Sequence, residues 1–320
     1  MKLKPTLLAC CIAATGLGAW VSTAQAAAPM VKTQAPGYYR AMLGDFEVTA
    51  LSDGTVALPV DKLLKNISAL DLKKALKYHH LSLPVETSVN GFLINTGAKL
   101  VLIDTGAGSL FGPTLGKLVA NLKAAGYQPE QVDEIIITHM HPDHVGGLSV
   151  DGQRVFPNAT VRAEQEDADY WLSAEQMAAA PEDAKGFFQG AQAMLKPYVD
   201  AGKFVAFKGD GELLPGIRAQ VTHAHTPGHS VIAVESQGKR LLLLGDLIHV
   251  GSVQFDRPKV AIGFDSDSKN AVKQRIKVFN QAARQGDLAG AAHLSFPGLG
   301  HIRRTTTGYD WIPLNYQSAP

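Results

Sequence analysis

The chain has 320 residues, 46% hydrophobic and 18% charged, and its 30 basic and 29 acidic residues give a formal net charge of +1. That balance describes a protein that buries a full core and excludes a disordered chain. There is no run of basic residues, which argues against nucleic acid or an anionic membrane as the main partner.

At the start of the chain, Lys2 and Lys4 precede an apolar, small-residue stretch from Thr6 to Val21, and Ala24-Gln25-Ala26 fits a secretory cleavage site. A membrane anchor needs about 20 strongly apolar residues, and Thr15, Gly16 and Gly18 weaken this stretch. Residues 1–26 are therefore expected to be a cleaved signal peptide. Residues 27–320 are expected to form one exported domain, periplasmic or secreted, with no membrane attachment after cleavage. Both cysteines, Cys10 and Cys11, fall in the signal, so the mature chain has no disulfide and no thiolate. Without Lys2 and Lys4, 28 basic residues face 29 acidic ones, a net charge of −1. Any metal site must then be built from His, Asp and Glu.

Phe46 to Ser52 and Asn90 to Asn95 read as strands, and Lys99 to Ile103 follows the Asn95-Thr96-Gly97 turn as the second arm of a hairpin. Asp104-Thr105-Gly106 breaks into a loop. Leu115, Leu118, Val119 and Leu122 then repeat at helical spacing up to Gly126. The strand Ile135 to Ile137 leads into the sequence THMHPDHVGG. A strand over Thr160 to Ala163 precedes a helix through Asp167 and Trp171, and Glu182 to Val199 reads as another helix. Val205 to Gly245 is β-rich, Ser268 to Gln285 is an amphipathic helix, and Ala291 to Ser295 is expected to be a last short strand. Runs of strands broken twice by helices predict an α/β fold of two mixed sheets packed together with helices outside.

The chemistry concentrates in His139, His141, Asp143 and His144, where Pro142 and Gly146-Gly147 force a tight loop after a strand. Imidazole and carboxylate suit Zn, Mn or Fe. His139 and His141 can share one cation, while Asp143 and His144 turn toward a second. One loop cannot complete two coordination spheres. The remaining candidates are His79, His80, His223, His225, His229, His249, His293 and His301, together with aspartates at strand ends. Of these, His225 opens HTPGHS, Asp246 ends LLLLGD, and His293 ends AGAAH.

The order HxHxDH, H, D, H, each at a strand end, resembles the metallo-β-lactamase superfamily over nearly all of the chain beyond the signal. The resemblance implies an αββα sandwich. It also implies one metal on His139, His141 and His225, a second on Asp143, His144 and His293, and Asp246 bridging them. His229 would support the site without binding metal, His301 would be a pocket or structural residue, and Asp104 in DTG would orient a ligand histidine. Two divalent cations about 3.5–4 Å apart can generate a bridging hydroxide near neutral pH, so hydrolysis needs no Ser or Cys nucleophile. Zinc is expected first, with manganese, iron or cobalt as alternatives.

Residues 35–62 and GLGHIR (298–303) further resemble the methyl parathion hydrolase group of exported phosphotriesterases. That likeness implies a leaving-group pocket lined by Phe111, Trp171 and Phe187. It breaks at Leu63, His249, Ile262 and Phe264, where the group carries Arg, Leu, Thr and Leu, and the chain reads one residue shorter near Asp183 to Lys185. A histidine three residues after Asp246 can donate to a developing oxyanion or protonate a leaving oxygen. Ile262 and Phe264 are expected to narrow the pocket toward flat esters.

The predicted activity is thus a lactonase for aryl lactones such as dihydrocoumarin, with phosphotriester hydrolysis as a side reaction and Asp246 and His249 as the catalytic pair. A primary phosphotriesterase and an acyl-homoserine lactonase are the alternatives. The partner is a small ester or lactone, and apolar residues near Phe187 and Leu195 are expected to serve a homodimer. A metal-binding protein without catalysis is the reading from another class, and the full set of ligand positions argues against it.

Overall fold

The structure, a computed structural model, describes residues 28–318. The expected signal peptide therefore lies outside the described residues. From Pro36 onward the chain forms one compact unit. Two seven-stranded sheets organise it, each with its strands in sequence order.

The first sheet runs Tyr38–Leu43, Phe46–Leu58, Val85–Asn95, Leu100–Ile103, Glu134–Ile136, Thr160–Glu164 and Phe204–Phe207. Its first four strands pair antiparallel and the rest join parallel. The second sheet runs Gly211–Leu214, Ile217–Val221, Ser230–Ser236, Lys239–Leu243, Leu288–Gly290, Leu299–Arg304 and Tyr309–Pro313. Only Lys239–Leu243 and Leu288–Gly290 pair parallel in it.

Alternation along the strands decides the layers, because successive side chains leave a strand on opposite faces. Phe92, Ile94, Val101 and Ile103 point between the sheets and meet Ile232, Val234, Leu241 and Leu243. Leu93, Leu100 and Leu102 point outward and pack with Leu118, Leu122 and Leu195 from the helices Leu118–Ala124 and Lys185–Asp200. On the far face of the second sheet, Ala233 and Leu242 meet Val278, Phe279 and Ala282 of the helix Ser268–Gln285. Two mixed sheets with helices on both outer faces make an αββα sandwich.

Five expectations needed correction. The strand beginning at Phe46 reaches Leu58, because a register shift between Ser52 and Gly54 absorbs the irregularity and pairing resumes. The helix expected from Leu115 starts at Leu118, after a loop held by Asp53, and that expected from Glu182 opens with a 3-10 turn before Lys185–Asp200. Ala291 to Ser295 is a loop rather than a strand. Its carbonyls at Ala291 and Leu294 accept from the Asn90 side chain, and the pairing strand is Leu288–Gly290 just before it. Finally, Leu195 is fully buried in the core, so it cannot serve a dimer surface.

Candidate metal centre

The parallel strand Glu134–Ile136 lies in the interior of the first sheet and delivers THMHPDHVGG at its C-terminal end. Pro142 opens a single helical turn, Pro142–Val145, which swings Asp143 and His144 away from His139 and His141. Thr105 locks that turn, its N–H and hydroxyl both donating to the His144 carbonyl at 2.8 and 2.9 Å. A Cβ on Gly147 would lie 2.1 Å from the Thr105 carbonyl, so only glycine permits this approach. The opposite wall of the loop is fixed by Asp53, whose buried carboxylate accepts the N–H groups of Ala107, Gly116 and Leu118.

Seven side chains from four strand ends meet here. The ligating atoms of His139, His141, His225 and Asp246 lie within 4.8 Å of one another, and so do those of Asp143, His144, Asp246 and His293. Asp246 belongs to both groups. Its Oδ2 lies 3.4 Å from His225 Nε2 and 3.2 Å from His293 Nε2, and its Oδ1 lies 3.2 Å from His144 Nε2. The sequence-predicted ligand positions are thus all brought together.

Whether the set suits cations is decided by where the protons sit. His144 Nδ1 faces Asp104 at 2.8 Å, His225 Nδ1 faces Asp265 at 2.9 Å, and His293 Nδ1 faces the Ser88 carbonyl at 3.0 Å. All three partners are acceptors, so each Nδ1 carries hydrogen. Thr138 gives its hydroxyl hydrogen to Asp104 and can only accept from His139 Nδ1, 3.1 Å away. The Nε2 atoms of His139, His144, His225 and His293 therefore point into the interior. His139 Nε2, His144 Nε2 and Asp246 Oδ1 are buried there without a hydrogen-bond partner. Buried polar atoms are rarely left so, and imidazoles steered by an outer acceptor are the usual companions of a metal. The donor set fits two divalent cations.

The electrostatics agree. Burial pushes His139 and His141 well below the ordinary histidine value, helped by neighbouring imidazoles, and takes His225 to about 3. Burial opposes charge on His293 as well, but Asp246 and Asp143 overcome it and raise that ring to about 10. Asp246 is drawn well below the carboxylate range by His293 and His144, against the effect of its own burial. The buried Asp246, with the partly buried Asp143 beside it, thus demands compensating positive charge.

His229 stays outside both groups. Its Nε2 accepts the Asp246 backbone N–H at 3.0 Å while its Nδ1 meets Thr222 Oγ1 at 2.8 Å, so it is neutral and fixes the bridging residue. His301 lies in a strand of the second sheet, with Nδ1 on the Asp287 carbonyl, and is structural. Several supports carried no sequence signal: Asp265 behind His225, Ser88 behind His293, and Asp167, which accepts from Met140 and Gly228 and joins two loops. The fully buried Arg275 and Gln254 fasten the 247–260 segment that carries His249. Only a fold brings such distant residues together.

Around the centre, Trp171 and Phe187 each lie 5.2 Å from the His141 ring, and Phe111 contacts Phe187 at 6.4 Å. His249 stacks on His293 with centroids 5.0 Å apart, and Phe264 lies 5.9 Å from His249. Both His249 ring nitrogens are buried without a hydrogen-bond partner, and Nε2 lies 3.0 Å from Asp246 Oδ2. A cleft of about 1000 Å³ reaches His249 and His293 from the surface past Ser88, Val85 and Tyr78. Ile262 corrects one expectation. It is fully enclosed in an apolar cluster with Val60 and Leu64, with Leu63 packed against it, and so backs the pocket instead of narrowing it.

A model of the metallo-beta-lactamase superfamily matches residues 84–293. A solved structure of hydrolase AbOPH in the beta lactamase superfamily is similar at 41% identity and a TM-score of 0.86, covering 89% of this chain and 100% of that one. AidC, a dizinc quorum-quenching lactonase solved with N-hexanoyl-L-homoserine as product, is similar at 28% identity and a TM-score of 0.82, over 88% and 99% of the two chains. An N-acyl homoserine lactonase of Bacillus cereus is 28% identical over 165 residues, 50% of this chain and 56% of that protein. The chain thus spans little more than half the length of the curated relative it matches.

Proposed function

The chain belongs to the metallo-β-lactamase superfamily, and from that premise we propose that it is a dinuclear metal-dependent lactonase. Its preferred substrates are aryl lactones of the dihydrocoumarin kind, with phosphotriester hydrolysis as a side reaction. The observation that carries this reading is His249, buried without a hydrogen-bond partner and with Nε2 3.0 Å from the shared Asp246.

His139, His141 and His225 would hold one cation, Asp143, His144 and His293 the other, and Asp246 would contact both. When bound, the pair supplies a nucleophile from water near neutral pH and polarises the ester carbonyl. The chain's own residues do the rest. Asp104, Asp265 and Ser88 hold three imidazoles in the tautomer that points Nε2 inward. His229 anchors the Asp246 backbone. His249 can donate a hydrogen bond to the oxygen that gains charge as the carbonyl is attacked, or a proton to the departing ring oxygen. Trp171 and Phe187 give a flat apolar wall for an aryl ring and keep water from that side of the site.

Acyl-homoserine lactones are the second reading, supported by the relatives that hydrolyse them. Zinc is the proposed metal, supported by the dizinc relative. Export through residues 1–26 belongs to the same proposal and is checked by N-terminal sequencing of the secreted protein. The functional test is a kcat/KM comparison of dihydrocoumarin, an acyl-homoserine lactone and methyl parathion on zinc-reconstituted protein. Dihydrocoumarin is expected to lead. A phosphotriester preference of about tenfold, or roughly 1.4 kcal/mol in transition-state binding, would overturn the lactonase assignment.

A further inference from the structure

The helix Ala69–Tyr78 buries Leu72 and Leu76 on its inner side. Its outer side carries Leu70, Lys74, Lys77 and Tyr78, spaced i, i+4, i+7 and i+8 and so on one face. Leu70 is 61% exposed and Tyr78 83%, and the segment that follows adds Leu81 and Leu83 at 39% and 48%. Scattered apolar residues on a surface need no explanation, but these four fall in one short segment, Leu70 to Leu83, that also holds a concentration of positive charge. Between residues 60 and 83 there are five lysines (62, 65, 73, 74 and 77) against Asp61 and Asp71 only. That is +3 in a chain whose total is +1, which leaves −2 for the remainder. Among the described residues none of the five lysines makes an ion pair, whereas Lys99, Lys185 and Lys196 do. Because the lysines are spread over several turns, no basic run shows in the sequence.

We propose that this face docks on an anionic lipid surface, with Leu70, Tyr78, Leu81 and Leu83 entering the headgroup layer and the lysines lying over the lipid phosphates. Aliphatic and aromatic side chains interleaved with lysines are the composition of an interfacial helix, and lysine stems reach along apolar surface while the ammonium stays in water. A second copy of the chain fits less well, because a two-fold contact would set +3 against +3. Lys74, Ala75, Tyr78 and Leu81 also line the cleft that leads to His249 and His293. Docking would therefore open that cleft at the lipid surface, where apolar esters concentrate. This last consequence rests on the proposed lactonase activity, but the docking does not.

The experiment is co-sedimentation of the zinc-loaded protein with phosphatidylcholine vesicles, with and without about a quarter phosphatidylglycerol, in low salt and at about 0.5 M salt. Lys73→Glu/Lys77→Glu and Leu70→Ser are run beside the wild type, since these positions lie outside the cleft. Binding is expected only to the anionic vesicles, lost at high salt, weakened about tenfold or more by the double charge reversal and measurably by Leu70→Ser. Equal binding to both vesicles, no binding to either, or unchanged binding by the charge-reversed variant would overturn the proposal. Self-association abolished by Leu70→Ser, or retention on polyglutamate but not on vesicles, would assign the face to another partner and overturn it too. Vesicle binding is read without substrate, so a failed lactone assay and a failed docking assay are separate results.

Discussion

Asp265→Asn isolates the reasoning about imidazole orientation. Asp265 is buried, its Oδ1 facing His225 Nδ1 at 2.9 Å and its Oδ2 accepting the Ile262 N–H at 3.2 Å. An asparagine offers one oxygen for these two donors. If the oxygen serves Ile262, the amide N–H₂ faces the ring and the His225 tautomer must flip, which places hydrogen on Nε2 and removes its lone pair from the site. If the oxygen serves His225, a donor faces the Ile262 N–H. Loss of such an outer partner costs about 10–100-fold in metal affinity, or roughly 1.4–2.7 kcal/mol. Burial pushes the Asp265 carboxyl up, so a neutral amide removes a desolvation cost and the metal-free fold should keep its Tm. The assay is chelator competition with metal-to-protein ratios followed through the titration. Asp265→Asn is expected to shed first the cation held with His139, His141 and His225, and Asp104→Asn the other one. Asp104 sits at φ +58°, a conformation asparagine tolerates. If both variants lose both cations together, or neither loses affinity by more than about threefold, the orientation argument is refuted.

Further outcomes follow from other parts of the centre. His249→Leu is expected to lower kcat/KM for dihydrocoumarin by about 100-fold while sparing or raising phosphotriester hydrolysis; equal losses would place His249 in the metal site instead. Arg275→Met removes the donor to the Leu247 and Pro258 carbonyls. It should cost about 2–4 kcal/mol of stability, seen as a Tm lower by roughly 5–10 °C, and a change below about 1 kcal/mol would contradict the role given to it. In chelated protein, His293 has a folded value of about 10 against an ordinary 6.5. The proton bound in the folded state stabilises it fully below pH 6.5, and that stability is lost as pH rises toward 10. Tm of the chelated protein should therefore fall across that window, and a flat profile would show that His293 carries no extra proton.

Some features could be read locally and others could not. Strand alternation in residues 90–95 and 99–103 reports both faces of one sheet, because side-chain direction depends only on neighbours in sequence. The candidate ligand positions were legible because a residue that ends an apolar strand and begins a turn is set at one end of the sheet whatever the rest of the chain does, and the family resemblance then implied which of them share a cation. Asp265, Asp167 and Ser88 were not legible, since each acts on a residue at least 27 positions away. Ile262 misled for the same reason. Its apolar character is plain in the sequence, but its place beneath the pocket depends on pairing with Leu64. Ala291 to Ser295 looked strand-like by composition, and only the Asn90 side chain reveals why those carbonyls are satisfied in a loop.

The central claim is that two cations share Asp246. Anomalous diffraction from crystals of zinc-reconstituted protein tests it directly. The account predicts two peaks, one against His139, His141 and His225 and the other against Asp143, His144 and His293, with the Asp246 carboxylate touching both. A single peak, or two peaks of which only one contacts Asp246, would contradict it.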